Sequence, residues 1–205
     1  MNTSNLNIFV VDNDTAVRNS LGLLLLSRGH VVQTFESGES FLASGKLHQC
    51  GCVILDLRME PGISGLHVFQ ELKAQASSLV VLFLSGHGDI SIAVDAVQNG
   101  AFGWLEKSCG NERLLEKVKE ALVQAAKMGA KRESKQKADA LWQKLTPREQ
   151  EVARYVARGL SSKLIARELA PIETRTVDTH RAHLYEKLGM SNPIEIDRLI
   201  RDNEL

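Results

Sequence analysis

Four polar residues stand at the ends of apolar runs. Asp12 follows Ile8-Phe9-Val10-Val11, Asp56 follows Cys52-Val53-Ile54-Leu55, Ser85 follows the run from Leu79 to Leu84, and Lys107 lies just past Phe102 to Leu105. Paired carboxylates at one end of a sheet suit a hard cation such as Mg²⁺, which takes oxygen ligands and keeps several waters. A carboxylate beside such a cation can accept a phosphoryl group. The acyl phosphate then needs donors for its equatorial oxygens, and the Ser85 hydroxyl, the Lys107 ammonium and the metal would supply them. Polar residues at strand ends are common singly; the joint pattern is far less so.

The elements that must position these groups can be read from periodicity. Short apolar runs bounded by polar residues fit strands buried on both faces of a parallel sheet, and Val31 to Phe35 adds a fifth. Between them lie helical stretches. Ala16 to Ser27 carries Val17, Leu21, Leu24 and Leu25 at helical spacing and stops at Gly29. Ser37 to Ala43 has Ser37 or Ser40 as cap, Leu66 to Gln75 follows, and Ile90 to Gln98 stops at Asn99-Gly100. Leu114, Leu115, Val118, Leu122 and Val123 mark a last amphipathic helix. Alternating strands and helices predict an α/β fold, a five-stranded parallel doubly wound sheet. Ligands of such sheets bind beyond the carboxyl ends of the strands, where the four polar residues would converge.

Composition sets the outer bounds. The 205 residues are 43% hydrophobic and 24% charged, ordinary for a globular chain that buries a core. No apolar run approaches the ~20 residues of a membrane span. Met1 to Asn7 is polar and uncharged, unlike a secretory signal, so the cytoplasm is the expected location. Three cysteines fit a reducing compartment, and Cys50 and Cys52 read as packing residues at the edge of a buried strand. Net charge is zero but divided: residues 1–125 carry 9 Lys and Arg against 13 Asp and Glu, and residues 126–205 carry 16 against 12. An acidic half joined to a basic half predicts two domains, the basic one facing a polyanion.

Residues 8–123 resemble the receiver domain of two-component response regulators. The matching pieces are Val10-Val11-Asp12-Asn13-Asp14, Val53 to Met59, Pro61-Gly62-Ile63-Ser64-Gly65, Leu84-Ser85-Gly86-His87-Gly88-Asp89 and Leu105-Glu106-Lys107. The resemblance implies that Asp56 is the phosphoacceptor. It implies that Asp12, Asn13, Asp56 and the backbone carbonyl of Arg58 hold Mg²⁺. Ser85 and Lys107 take the places of the switch hydroxyl and the phosphate-binding lysine, and Trp104 that of the switch aromatic; Trp104 also reads as plain core packing. Three positions depart from the family. Asn13 replaces the second acidic residue after the first strand, which weakens the charge offered to the metal, with Asp14 a candidate to compensate. Glu60 is an extra residue beside the phosphorylation loop. Ser108 replaces a proline that commonly carries a cis bond.

The remaining sequence divides into a charged helical linker over 126–141, with Gly129 as its candidate break, and a small all-α four-helix domain over 142–205, leaving 1–125 as the receiver. Thr146-Pro147-Arg148-Glu149 reads as a helix start with a capping box and Pro at the first position. Val152, Tyr155 and Val156 face inward, and Gly159 ends that helix. Ser161 caps the next, with Leu164, Ile165 and Leu169 inward. A third runs from Arg175 to Leu188, opened by Glu173 or Thr174, with Val177, Leu184 and Leu188 inward. Ser191-Asn192-Pro193 starts a fourth, with Ile194, Ile196, Leu199 and Ile200. A tight turn before the third helix is the helix-turn-helix plan. From pattern alone, a helical bundle with a charged surface is the slightly better fit. Leu145 to Glu149 with Val152, Ala157 to Ala166, Arg175 to Arg181 and Glu186-Lys187-Leu188-Gly189 closely resemble the LuxR-type DNA-binding domain. That resemblance implies DNA-backbone contacts from Lys163, Arg175, Thr176 and His180 or Arg181, base-facing positions at Asp178, Thr179 and Ala182, and a dimer surface on the last helix. Pro171 looks inserted in the turn.

Over both halves the chain resembles the FixJ-like branch of the NarL-type response regulators. The implied function is transcription regulation, commonly activation, through double-stranded DNA read in the major groove. The implied partners are a sensor histidine kinase, a second copy of the chain when active, and RNA polymerase; no membrane and no enzymatic role are expected. Two other readings stay open: a receiver acting without phosphate as a dimerisation module, motivated by Asn13, Glu60 and Ser108, and a Mg²⁺-dependent phosphohydrolase using Asp56. Arg58 counts against the second, because such enzymes need a carboxylate two residues after the nucleophile.

Overall fold

The computed structural model describes residues 6–86 and 90–203, so His87, Gly88 and Asp89 of the receiver-like motif, and most of the polar N-terminal segment, lie outside the described residues. Contacts divide the chain into two compact units between Ala130 and Lys131.

In the first unit, strands β1 (Asn7–Val11), β2 (Val31–Phe35), β3 (Gly51–Asp56), β4 (Leu79–Ser85) and β5 (Gly103–Glu106) form one sheet in the order β2-β1-β3-β4-β5. Every pairing is parallel. Helices α1 (Thr15–Ser27), α2 (Gly38–Leu42), α3 (Gly65–Ala74), α4 (Ile90–Gln98) and α5 (from Asn111) connect and follow them. Because side chains alternate along a strand, the unbroken apolar runs feed two cores. Phe9, Val11, Val53, Leu55, Val81 and Phe83 pack on one face with α2 and α3 residues such as Phe41 and Phe69. Ile8, Val10, Ile54, Leu82 and Leu84 pack on the other with Leu25 of α1 and Val118 and Leu122 of α5. The expected fold is therefore found, with Asp12, Asp56, Ser85 and Lys107 at the carboxyl ends of four neighbouring strands.

Local chemistry explains the helix starts. Asp14 is the N-cap of α1, its carboxylate accepting from Ala16 N–H at 2.8 Å and Val17 N–H at 3.3 Å. The Asp14 carboxylate thus serves the helix end. Ser37 and Ser40 form a reciprocal capping box on α2. Gly65 opens α3 where a Cβ would fall 2.0 Å from the Asp56 carbonyl oxygen, so only glycine lets the helix start so close to the phosphoacceptor candidate.

Helix α5 runs unbroken from Asn111 to Trp142. Gly129 is not a break. An isolated glycine costs a helix only about 1 kcal/mol. Here it has a packing reason, since a Cβ would sit 2.6 Å from Cys50 Sγ. Cys52 is fully buried, and burial alone pushes its thiol up to about 12, as suits an inert packing residue.

In the second unit, α6 (Pro147–Ala157), α7 (Ser162–Glu168), α8 (Thr174–Leu188) and α9 (Pro193–Asn203) surround Val152, Val156, Ile165, Val177, Leu184 and Ile196, joined by Ala138 and Trp142. The capping box of Thr146 and Glu149 and Pro147 at the helix start are as expected. Two details differ. Ser161 occupies the N-cap of α7 without a side-chain hydrogen bond. Leu164 is 50% exposed rather than inward, because the seven-residue α7 turns Ile165 and Ala166 to the core.

Candidate functional site

The strand ends bring three charged groups together. Lys107 follows β5, and its Nζ lies 2.8 Å from Asp12 Oδ2 and 2.9 Å from Asp56 Oδ2. Asp12 and Asp56 are 2% and 5% exposed. Two carboxylates thus share one ammonium, an excess of one negative charge among these three groups. Burial pushes the Asp56 carboxyl above its ordinary value; the Lys107 hydrogen bond opposes this, and the neighbouring Asp12 charge adds to it. Burial alone would lower Lys107, but hydrogen bonds to both carboxylates outweigh it and raise the ammonium. The Arg58 N–H also bonds Asp56.

Asp12 is held rigidly. Its Oδ1 accepts from Asp14 N–H at 2.8 Å, and its carbonyl accepts from Arg18 Nη1 at 2.7 Å. Sequence reading missed Arg18, an ordinary-looking helix residue whose reach back over six positions appears only in three dimensions. Ser85 is fully buried and accepts a 2.9 Å hydrogen bond from Trp104 Nε1. Hydroxyl and half-buried indole are therefore one coupled pair. Lys107 N–H donates to Ser85 O at 2.7 Å, tying that loop to β4. The two cis peptide bonds among the described residues precede Pro61 and Pro171, the residue after the extra Glu60 and the apparent insertion in the turn.

The donor set favours a hard cation, with two buried carboxylates in excess over their one ammonium. Among the described residues no group of three or more His, Cys, Asp or Glu is placed to hold a metal. Further ligands would have to be amide, carbonyl or water oxygen, which Mg²⁺ accepts. Asn13 Nδ2 is engaged by the Glu60 carbonyl at 2.9 Å, leaving its amide oxygen for that purpose.

The second unit presents a polar helix face. On α8, Arg175, Thr176, Asp178, Thr179 and Ala182 are exposed, while His180 and Arg181 are half-buried; Lys163 on α7 is exposed. Arg175, Asp178, Thr179 and Ala182 follow the i, i+3, i+4, i+7 spacing of one face. Thr179 Oγ1 donates to the Arg175 carbonyl at 3.1 Å. Arg181 Nη1 donates to the Leu160 carbonyl at 3.1 Å, so this residue also fastens α8 to the α6–α7 turn. Beneath the helix, buried Glu149 receives Lys187 Nζ at 2.9 and 2.6 Å and the Thr146 N–H at 2.8 Å. Burial opposes its charge, but these bonds prevail and hold the carboxyl below its usual range.

Comparison with known proteins covers nearly the whole chain. Residues 8–119 match the response regulator receiver domain, and residues 143–199 match the bacterial regulatory proteins of the luxR family. The chain is 38% identical to the transcriptional regulatory protein FixJ of Bradyrhizobium diazoefficiens, over 94% of this chain and 93% of that one. It is 38% identical to the tetrathionate response regulatory protein TtrR of Salmonella typhimurium, over 93% and 90%. Among solved structures, the response regulator StyR superposes with a TM-score of 0.85 at 36% identity, covering 96% of this chain and 98% of that one. Full-length FixJ from B. japonicum gives 0.58 at 36%, covering 97% of each.

Proposed function

The chain belongs to the response regulators that join a receiver domain to a LuxR-family DNA-binding domain, and from that premise we propose that Asp56 is its phosphoacceptor and phosphorylation its control. These proteins regulate transcription and are not an enzyme class. A receiver implies a sensor kinase as partner, and a LuxR-family domain implies DNA. The observation that carries the reading is the Asp12–Lys107–Asp56 triangle at the carboxyl ends of the strands.

In the proposed reaction a carboxylate oxygen of Asp56 attacks the phosphorus of a kinase phosphohistidine. The new P–O bond replaces the P–N bond, and the imidazole keeps the electron pair and takes up a proton. Lys107, already beside Asp56 Oδ2, neutralises the charge arriving on the phosphoryl oxygens. Asp12, Asp56, the Asn13 amide oxygen and the Arg58 carbonyl would hold Mg²⁺. Bound there, the ion supplies charge neutralisation that two carboxylates and one ammonium lack. Ser85 would leave the Trp104 indole to donate to the phosphoryl group, freeing Trp104 to move.

The working division is a receiver over 1–125, a helical linker over 126–141 and a DNA-binding domain over 142–205. Dimerisation of the phosphorylated chain would present paired α8 helices to two half-sites. Lys163, Arg175, Thr176 and His180 or Arg181 would contact phosphates, and Asp178, Thr179 and Ala182 base edges. Activation through RNA polymerase and a cytoplasmic location complete the reading; among the described residues no helix is long and apolar enough to cross a membrane. Operator binding by the full chain, with and without acetyl phosphate and Mg²⁺, tests it. Wild type is expected to bind more tightly after treatment and Asp56→Asn to be unchanged. Equal stimulation of both proteins, or of neither, contradicts it.

A second reading makes the receiver a phosphate-independent dimerisation module. It is favoured by one observation: Asn13, where the family usually has a metal-binding carboxylate, brings no charge and gives its Nδ2 to the Glu60 carbonyl.

A further inference from the structure

We propose that Asn13 and Glu60 form one positioning device, in which the Asn13 amide holds the loop after Asp56 and the extra residue Glu60 provides the carbonyl it holds. Two sequence departures that look unrelated, 47 positions apart, meet in a 2.9 Å hydrogen bond from Asn13 Nδ2 to the Glu60 carbonyl oxygen.

The loop between Asp56 and α3 is tied at several points. Gly65 N–H donates to the Leu57 carbonyl at 3.1 Å, and Gly62 N–H to the Met59 carbonyl at 2.9 Å. Met59 is buried. From α2, Glu39 Oε1 accepts from Ile63 N–H at 2.8 Å. These ties fix both ends of the loop and its far side. The Asn13 bond fixes its crest, from the β1 end of the sheet that also carries Asp12.

Residue type matters here for an elementary reason. An ionised aspartate has only acceptor atoms, whereas asparagine has two N–H donors. An aspartate at position 13 would set a carboxylate against the Glu60 carbonyl, two negative groups with no proton between them. Once the loop carries an extra residue that turns a carbonyl toward β1, position 13 needs a donor. The cost falls on the cation. Asp12 and Asp56 exceed Lys107 by one negative charge, and an aspartate at 13 would make the excess two. Asn13 thus exchanges cation attraction for loop position and acts on Asp56 through the loop.

The test uses the full chain as Asn13→Asp, Asn13→Ala, a deletion of Glu60, and Asn13→Asp combined with that deletion. Hydrogen exchange of the Gly62, Ile63 and Gly65 amides is followed without metal, and Mg²⁺ affinity is measured by calorimetry. Asn13→Asp and Asn13→Ala are both expected to speed exchange about tenfold, the loss of one hydrogen bond. Asn13→Asp alone is expected to tighten Mg²⁺ binding about tenfold. The combined variant is expected to recover loop protection to within about twofold of wild type while keeping the tighter Mg²⁺ binding. Loosening in both position-13 variants, with tighter cation binding in Asn13→Asp but not in Asn13→Ala, separates the lost hydrogen bond from the added charge. Unchanged exchange in Asn13→Asp, or a combined variant no better protected than either single change, overturns the proposal. If the Glu60 deletion does not fold, the two substitutions at position 13 decide by the same criteria. Neither readout involves phosphate, so failure of Asp56 to accept a phosphoryl group would sink the control reading and leave this one standing.

Discussion

Asp56 and Glu149 are both buried carboxylates hydrogen-bonded to a lysine, Lys107 in the first unit and Lys187 in the second, yet their surroundings push them in opposite directions. Around Glu149 the account is closed: one carboxylate meets one ammonium, and the Thr146 N–H takes a further lone pair. Its carboxyl is held low, and the group stabilises the helix that it caps. Around Asp56 burial pushes the carboxyl up, and a second carboxylate sharing the same ammonium adds to that push. A buried charge can therefore be a fastening or a reserve of unbalanced potential. What separates them is how far burial is answered: at Glu149 the hydrogen bonds outweigh it, whereas at Asp56 they do not and the Asp12 charge adds to it. The unbalanced one is where an incoming cation or phosphoryl group has something to gain.

This contrast can be broken by mutation. The largest effect is expected from Lys107→Ala, which removes the one ammonium between Asp12 and Asp56. Labelling by acetyl phosphate and Mg²⁺ should slow about 100-fold, the scale of losing one preorganised charge stabiliser. Glu149→Ala should destabilise the second unit by about 3 kcal/mol, since it strips Lys187 and the α6 capping box of their partner. Denaturant unfolding followed by Trp142 in a Trp104→Phe background reads that unit alone. Asp56→Asn should do the reverse in the first unit and stabilise it, because it removes a buried charge and relieves repulsion from Asp12. Trp104 fluorescence in a Trp142→Phe background measures it. Destabilisation by both substitutions would erase the distinction.

Acid should sharpen the same comparison with smaller effects. Glu149 is held below the unfolded value of 4.5, so its contribution is present above that pH and lost as pH falls through the lower folded value. Asp56 is raised above 3.8, so its folded form binds its proton more readily than the unfolded form. Its contribution improves as pH falls through the raised value toward 3.8. The two single-tryptophan proteins should therefore diverge on acidification, with the second unit weakening first.

Much of this was legible in the sequence, and the parts that were not share a cause. Unbroken apolar runs, whose side chains alternate between the two faces of a sheet, specify two cores, so the strands and the four polar ends could be placed without coordinates. Caps were legible where side chain and backbone are neighbours, as at Ser37 and Thr146. Long-range hydrogen bonds were not. Nothing local says that Arg18 reaches the Asp12 carbonyl, that Arg181 reaches Leu160, or that Asn13 reaches Glu60. Leu164 was misplaced because a helix of seven residues has too little length for periodicity to define its face. Gly129 was misread as a break because its close neighbour, Cys50, is distant in the chain.

The unbalanced acidic pocket is proposed to accept a phosphoryl group at Asp56. Intact mass of the full chain after incubation with acetyl phosphate and Mg²⁺, beside Asp56→Ala, tests it most directly. The wild type is expected to gain one phosphoryl group and the variant none. An unmodified wild type, with a cognate kinase also failing to label it, would contradict that proposal and leave the receiver as a phosphate-independent module.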